Sequence, residues 1–152
     1  MPNLPTLFID ADACPVKNEV LKVADRYGLA VKIVSNGGMR PSRDPMVDTI
    51  VVTAGADAAD DWIVENCDAG DIIITADIPL AARILDREAL ALGPTGKQFT
   101  RETIGMALAM RDLKQHVREA TQTQTRNRAF QTRDRSNFLQ ALDRLVVQMR
   151  NP

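Results

Sequence analysis

The sequence is poor in the residue types on which several common protein classes depend. Its 152 residues include only two cysteines, one histidine, one tryptophan and one tyrosine. Cys14 and Cys67 lie far apart and lack metal-ligand spacing, so the sequence predicts neither a disulfide framework nor a zinc site built on sulfur. The lone His116 lies far from every acidic cluster, and no nucleophile-elbow pattern occurs. Ser/His and Cys/His catalysis therefore have no support.

Long apolar runs are missing as well. No hydrophobic stretch approaches about 18 residues, and no basic-then-apolar leader marks a secretory signal. We therefore expect no membrane span and a soluble, cytoplasmic protein. A length of 152 residues fits one globular domain with a sizeable core.

The net charge of −1 conceals an uneven distribution of charge. Residues 1–80 hold 6 Lys and Arg against 13 Asp and Glu, whereas residues 81–152 hold 13 against 7. The basic residues of the second half could bind a polyanion beside an acidic site, or they could form a plain solvated surface. The sequence favours neither interpretation over the other.

Apolar runs alternate with segments of helical periodicity up to about residue 93, and this alternation predicts an α/β fold. The predicted strands are 7–9, 31–34, 50–53, 71–75 and 89–92, and the predicted helices are 15–27, 57–67, 79–88, 101–119 and 134–150. Repeated βα units imply a mostly parallel sheet between two helical layers. The domain thus has a predicted core over 1–120, a polar, mobile loop over 121–133 and a C-terminal helix.

Two carboxylates one residue apart, Asp10 and Asp12, follow the first apolar run. A strand ending in Asp-x-Asp presents both side chains on one side, because side-chain direction repeats every two residues. Ligands of open α/β sheets bind at that carboxyl edge. Burying a carboxylate costs free energy unless it is paired or liganded, so we expect a functional role for Asp10 above all.

Further acidic residues are predicted to reach the same edge. Asp57, Asp60 and Asp61 begin the helix after the third predicted strand, and Asp77 follows the fourth. Helical spacing allows two or three of the first group to face one way, although each is also a typical helix-capping or solvated residue. Oxygen-only ligands favour Mg²⁺ or Mn²⁺ and hydrolysis of a phosphodiester.

The predicted roles follow from these positions. Asp10 and Asp77 would hold the metal together with one acid of the 57–61 cluster, with Asp57 and Asp61 put forward and the choice among Asp57, Asp60 and Asp61 left open. Asp12 would serve as a ligand or orient water. Asp10, Asp12 and Asp77 are accordingly the catalytic candidates.

Basic residues supply the substrate-binding candidates. Lys17 follows the first carboxylates, and Arg40 and Arg43 flank a glycine turn that could wrap a phosphate or be merely solvated. Further basic residues lie in the C-terminal third of the chain, some at helical spacing and others in or beside the polar loop. They could bind along a nucleic-acid backbone or form a solvated face. These residues are Arg111, Lys114, Arg118, Arg126, Arg128, Arg133 and Arg135.

Four stretches, DADACPVK (10–17), ADDWI (59–63), TADIPLA (75–81) and DRSNF (134–138), resemble the YaiI/YqxD family of uncharacterised bacterial proteins. That family is similar in turn to the PIN-like nucleases, which place an acidic pair after strand one, an acid on a middle helix and Thr-x-Asp after strand four. Thr75 and Asp77 match the last motif. The resemblance implies a PIN-like fold and a Mg²⁺- or Mn²⁺-dependent ribonuclease, with Thr75 near the substrate.

Two other functions start from the same residues. In a haloacid-dehalogenase-like phosphatase Asp10 would be the nucleophile and Ser35 a phosphate-binding hydroxyl, but the lysine which that order requires is missing between Lys32 and Lys97. A PIN-like scaffold without catalysis would instead bind RNA, a nucleotide or a protein through the same acidic pocket.

Overall fold

A six-stranded sheet forms the centre of the computed structural model, which describes residues 4–11, 14–37, 41–53, 55, 57–106, 108–110 and 130–150. The strands are β1 (Leu7–Asp10), β2 (Val31–Ser35), β3 (Val47–Val51), β4 (Ile72–Ile74), β5 (Leu90–Leu92) and β6 (Gln98–Phe99). Their order across the sheet is β3-β2-β1-β4-β5-β6. All neighbouring strands are parallel except β5 and β6.

Helices cover both faces of this sheet. They are α1 (Lys17–Tyr27), α2 (Ala58–Asn66), α3 (Ile78–Asp86), α4 (helical residues 101–106 and 108–110) and α5 (Thr132–Arg150). Leu7 and Ile9 of β1 pack with α1 and α5, whereas Phe8 between them packs with α2 and α3 on the opposite face. The predicted three-layer α/β/α sandwich with a mostly parallel sheet is therefore confirmed.

The central strands β1 and β4 consist of apolar residues because both of their faces are covered. Ile72, Ile73 and Ile74 are all 0% exposed, as expected of a parallel strand between two helical layers. Asp10 is the exception, because it ends β1 with a buried carboxylate. The layered fold therefore holds a carboxyl group at the carboxyl edge of a strand that is buried on both faces.

Several element bounds differ from the prediction. Strand β3 lies at 47–51 rather than 50–53, because it pairs with β2 along its whole length, from Val31 beside Val47 to Ser35 beside Val51. As an edge strand it tolerates an exposed polar residue at its second position. Strand β6 was not predicted, since two residues carry no periodicity.

Helix bounds shift by about two residues. Helix α1 begins at Lys17 rather than at position 15, and α5 begins at Thr132 rather than at 134, which shortens the predicted loop over 121–133. The described part of the chain does not include residues 111–119 of the predicted fourth helix or residues 121–129 of that loop. None of the helices described is both long and apolar enough to cross a membrane.

Candidate functional site

Asp10 lies at the centre of an acidic site at the carboxyl edge of the sheet. Its side chain is only 9% exposed, and its Oδ2 accepts a hydrogen bond of 2.9 Å from the Thr75 hydroxyl. Thr75 follows β4, the strand directly beside β1, so the parallel register brings two residues 65 positions apart into contact. The buried carboxylate is thus held in a fixed position.

Asp77 is tied to the same threonine. Its backbone N–H donates to Thr75 Oγ1 over 3.0 Å, and its own Oδ1 accepts the Leu80 backbone N–H, also over 3.0 Å. Asp77 is therefore the N-cap of α3, with Pro79 in the first turn where its missing N–H costs nothing. Thr75 connects the capping residue to Asp10, so it acts on the site as a positioning residue.

Asp60 is the acidic residue of α2 that faces this pair. Burial raises the pKa of its carboxyl to about 6, and the negative charges of Asp77, Asp10 and Asp57 contribute in that order, while Arg83 opposes the rise. Three elements, β1, α2 and the start of α3, therefore bring carboxylates close enough to repel one another.

The other two acids of α2 occupy different surroundings. Asp61 forms a 2.9 Å ion pair with Arg83, and both side chains are about half exposed. Asp57 is exposed at the position before α2 and makes no side-chain capping bond. The prediction put Asp57 and Asp61 forward as ligands and left the choice among the three acids open. In the structure Asp60 is the one whose pKa the charges of Asp77 and Asp10 raise. The buried stripe of Ala59 and Ile63 is the signal for this choice, because Asp60 borders that stripe.

The predicted basic residues separate in the structure. Lys17 begins α1 on the same edge as Asp10, since the charges of both act on Cys14 between them. Arg43 lies just before β3. The Val31 N–H at the start of β2 donates to the Met46 carbonyl just before β3, so this part of the chain lies at the amino edge of the sheet, opposite Asp10. Arg43 is therefore not part of this site. Asp12 and Arg40 lie outside the described residues.

Cys14 and Ser35 lie near the site, but their surroundings do not suit a chemical role. Burial raises the pKa of the Cys14 thiol, and the nearby Asp10 charge adds to the rise, which opposes the reactive thiolate that a helix N-terminus can produce. The Ser35 hydroxyl bonds both the N–H and the C=O of Gly37 at 3.1 and 3.0 Å. It therefore holds a turn rather than facing outward as a phosphate-binding group.

A second buried carboxylate, Asp71, provides a contrast. It lies at the amino edge before β4, and its two oxygens accept the backbone N–H groups of Thr6 and Asp68 at 3.0 and 2.9 Å. Those bonds give Asp71 a structural role, because both oxygens are occupied by the backbone. Asp10 differs in having carboxylates as its neighbours.

The carboxylates described at this edge do not by themselves form a complete set of metal ligands. Within the described ranges no three His, Cys, Asp or Glu side chains are arranged to hold one ion. Mg²⁺ commonly binds through one or two carboxylates and keeps several waters, which is the donor set that Asp10 and Asp60 offer. A cation would also relieve the repulsion that raises the pKa of Asp60.

We expect Asp60→Asn to stabilise the metal-free protein in a pH-dependent way. Because the folded chain raises this pKa from 3.8 to about 6, wild-type stability falls as pH rises from about 4 through 6, and the neutral amide avoids that loss. After allowing for solvent screening of a partly exposed group, the gain should be about 1 kcal/mol above pH 7. Urea denaturation with a chelator at pH 5 and pH 8 measures it.

An equal gain at both pH values would mean that the ionisation of the Asp60 carboxyl is not the cause. Asp61→Asn is the matched variant, because it removes a carboxylate that is already paired with Arg83. That change should bring no gain at pH 8, since the paired charge is not under repulsion.

The fold and the site together define an α/β protein with a group of carboxylates where parallel strands end. The chain belongs to the family described as "Uncharacterized BCR, YaiI/YqxD family", whose model matches residues 8–148. This agrees with the resemblance of the four sequence stretches. The match covers all the described strands and helices except the first residue of β1 and the last two of α5.

Close relatives are bacterial proteins known as UPF0178 proteins. One from Mesorhizobium japonicum is 62% identical over 142 residues, which is 93% of this chain and 92% of the relative. Another from Agrobacterium fabrum is 58% identical over 144 residues, covering 95% and 94% of the two chains. No solved structure matches the chain.

Proposed function

We propose that the protein is a nuclease that hydrolyses phosphodiester bonds, most readily in RNA, with the help of Mg²⁺ or Mn²⁺. The observation that carries the proposal is the buried Asp10 carboxylate, fixed by Thr75 and facing Asp60 and Asp77 at the carboxyl edge of a parallel sheet. A fold rarely buries such a carboxylate beside like charges unless a bound cation or a shared proton offsets the cost.

The residues divide the work as follows. Asp10 and Asp60 would hold the ion, and Thr75 keeps Asp10 in one orientation by donating to Oδ2. Asp12, known from the sequence alone, would orient the attacking water. The ion supplies Lewis-acid activation of water and neutralises charge on the phosphate.

Asp77 has two roles in this proposal, as the N-cap of α3 and as a source of negative charge beside the site. Its Oδ1 caps α3, so its carboxylate is held at the entrance of the site next to Thr75. The negative potential that it adds favours cation binding. Lys17, at the start of α1 on the same edge, is placed to approach a phosphate oxygen of the substrate.

Cleavage of labelled RNA with and without added Mn²⁺ tests the proposal directly. A 5′-labelled single-stranded RNA should be cut in Mn²⁺ or Mg²⁺ and remain intact with a chelator. In parallel, the electron paramagnetic resonance signal of free Mn²⁺ should fall as protein is added, since bound Mn²⁺ loses that signal. About one ion per chain is expected from a site with two protein carboxylates.

The two measurements separate the proposal from its alternatives. Mn²⁺ binding without any cleavage of RNA or DNA would leave a non-catalytic scaffold. Neither binding nor cleavage would overturn the nuclease and its metal site together. Covalent trapping of beryllofluoride on Asp10 would instead favour the phosphatase.

A further inference from the structure

A second polar cleft opens at the same edge of the sheet, between the loop that follows β5 and the start of α5. Its volume is about 620 Å³, and none of Asp10, Asp60 and Asp77 is among the described residues that line it. The lining residues are Thr95, Lys97, Phe130, Arg133, Asp134 and Asn137.

Among the described residues that line the cleft, basic side chains outnumber acidic ones. Lys97 and Arg133 are exposed, and neither forms an ion pair with any residue in the described part of the chain. The one acid in the lining, Asp134, is only 3% exposed, and its Oδ2 accepts the Gln131 backbone N–H over 2.9 Å. Two cations therefore face the cleft while its carboxylate is turned into the helix start.

The walls of the cleft are held together by direct contacts. Gly96 has φ +93°, and a Cβ there would lie 2.8 Å from the Asn137 carbonyl oxygen, so the loop backbone rests against α5 with no room for a side chain. Arg135 stacks over the Phe130 ring at 4.9 Å and donates to the Pro15 carbonyl before α1. The two walls are thus held in place before any ligand arrives.

The cleft and the acidic site are neighbours. The Thr75 N–H donates to the Leu92 carbonyl over 3.1 Å, and Gly93 directly after Leu92 begins the loop that carries Lys97. Asp10 is two strands away from β5, which corresponds to roughly 10 Å across the sheet. Pro15, which Arg135 contacts, belongs to the segment between Asp10 and α1.

We propose that this cleft is a phosphate subsite that holds the backbone of a single-stranded RNA beside the bond to be cut. The inference rests on the proposed nuclease function and adds how the strand is held. Lys97 and Arg133 would pair with phosphate oxygens, and Thr95 and Asn137 would donate to the same backbone. Such contacts bind the chain without reading its sequence.

Binding of a fluorescent single-stranded RNA, measured by anisotropy in a chelator, tests the subsite without any cleavage. The double variant Lys97→Gln with Arg133→Gln should bind roughly tenfold more weakly at low salt. The slope of log affinity against log salt should become shallower by about 1.4, because each phosphate contact in a single strand contributes about 0.7.

The matched control removes two cations elsewhere. Lys22 and Arg144 are exposed on α1 and α5 and do not line the cleft, so Lys22→Gln with Arg144→Gln changes the net charge equally. Its affinity and salt slope should stay near those of the wild type. Equal losses in both double variants, or no loss in either, would overturn the subsite.

The subsite and the nuclease can fail independently. A protein that binds RNA through Lys97 and Arg133 but never cuts it would retain the subsite and lose the nuclease. One that cuts RNA, and whose Lys97→Gln with Arg133→Gln variant binds RNA as the wild type does, would retain the nuclease and lose the subsite.

Discussion

Replacing Asp10 with Asn should lower Mn²⁺-dependent RNA hydrolysis by about 100-fold or more while leaving the chain folded. The amide has the same shape, and its oxygen still accepts the hydrogen bond from the Thr75 hydroxyl, so the end of β1 keeps its contact with the residue after β4. What disappears is the negative charge that would hold the ion. Loss of outer-sphere partners alone commonly costs 10–100-fold, so loss of a ligand should cost at least about as much.

The rate should be measured under single-turnover conditions together with Mn²⁺ affinity and thermal unfolding. A drop in both rate and Mn²⁺ affinity at unchanged melting temperature assigns Asp10 to the metal site. Asp25→Asn is the matched control, because Asp25 is exposed on α1 beside a cleft at the opposite, amino edge with Asp44. Retention of wild-type hydrolysis in Asp10→Asn would contradict the proposed site.

The central part of the fold could be predicted from the sequence because its signal is local. Ile72, Ile73 and Ile74 form a short apolar run between turn residues, which indicates a strand buried on both faces. Asp10 after a similar run is predicted to end a buried strand at the carboxyl edge of the sheet, and the structure buries it at the end of β1. Each inference needs only a few neighbouring residues.

The choice among the three acids of α2 could not be made in the same way. Asp57, Asp60 and Asp61 all suit the first turn of a helix, and their spacing allows more than one grouping. Which acid turns toward Asp10 depends on how α2 rotates against the sheet, and Ile63 packing into the core sets that rotation. Arg83, from another helix, then pairs with Asp61. Both contacts are tertiary, and within the motif only the position of Asp60 beside Ala59 and Ile63 indicates them.

Arg43 shows a different limit of the sequence. Its closeness in sequence to a glycine turn suggested a phosphate cradle, yet the chain between β2 and β3 crosses back to the amino edge before a parallel strand can start. Because β3 begins beside Val31, the residues just before it lie far from the carboxyl edge. The strand bounds, which were predicted three residues too late, determine this outcome.

The RNA cleft depends on residues that only the fold brings together. Lys97 belongs to the loop after β5, whereas Arg133 and Asn137 belong to α5, and no spacing rule connects them. The basic C-terminal part of the chain indicated polyanion binding in general. Helix α5 determines where that charge can act, because its buried face fixes which of its residues point at the loop.

The packing of α5 against the sheet depends on Phe138. We therefore expect Phe138→Ala to lower the free energy of unfolding more than any of the other substitutions. The ring is 0% exposed and packs with the sheet and α1, in line with Leu142 and Val146 one and two turns along the helix. Removing it should cost about 4 kcal/mol of unfolding free energy, because transfer and cavity terms add. The melting temperature should fall by roughly 8–16 °C.

Urea denaturation followed by far-ultraviolet circular dichroism measures this cost. Phe138→Leu should lose only about 1.5 kcal/mol, since it keeps most of the buried volume. Val147→Ala, at a 40% exposed position of the same helix, should change stability by less than about 0.5 kcal/mol. If Phe138→Ala costs no more than Val147→Ala, α5 is not part of the cooperative core. The cleft that Arg133 and Asn137 line would then lack the rigid wall on which its binding of RNA depends.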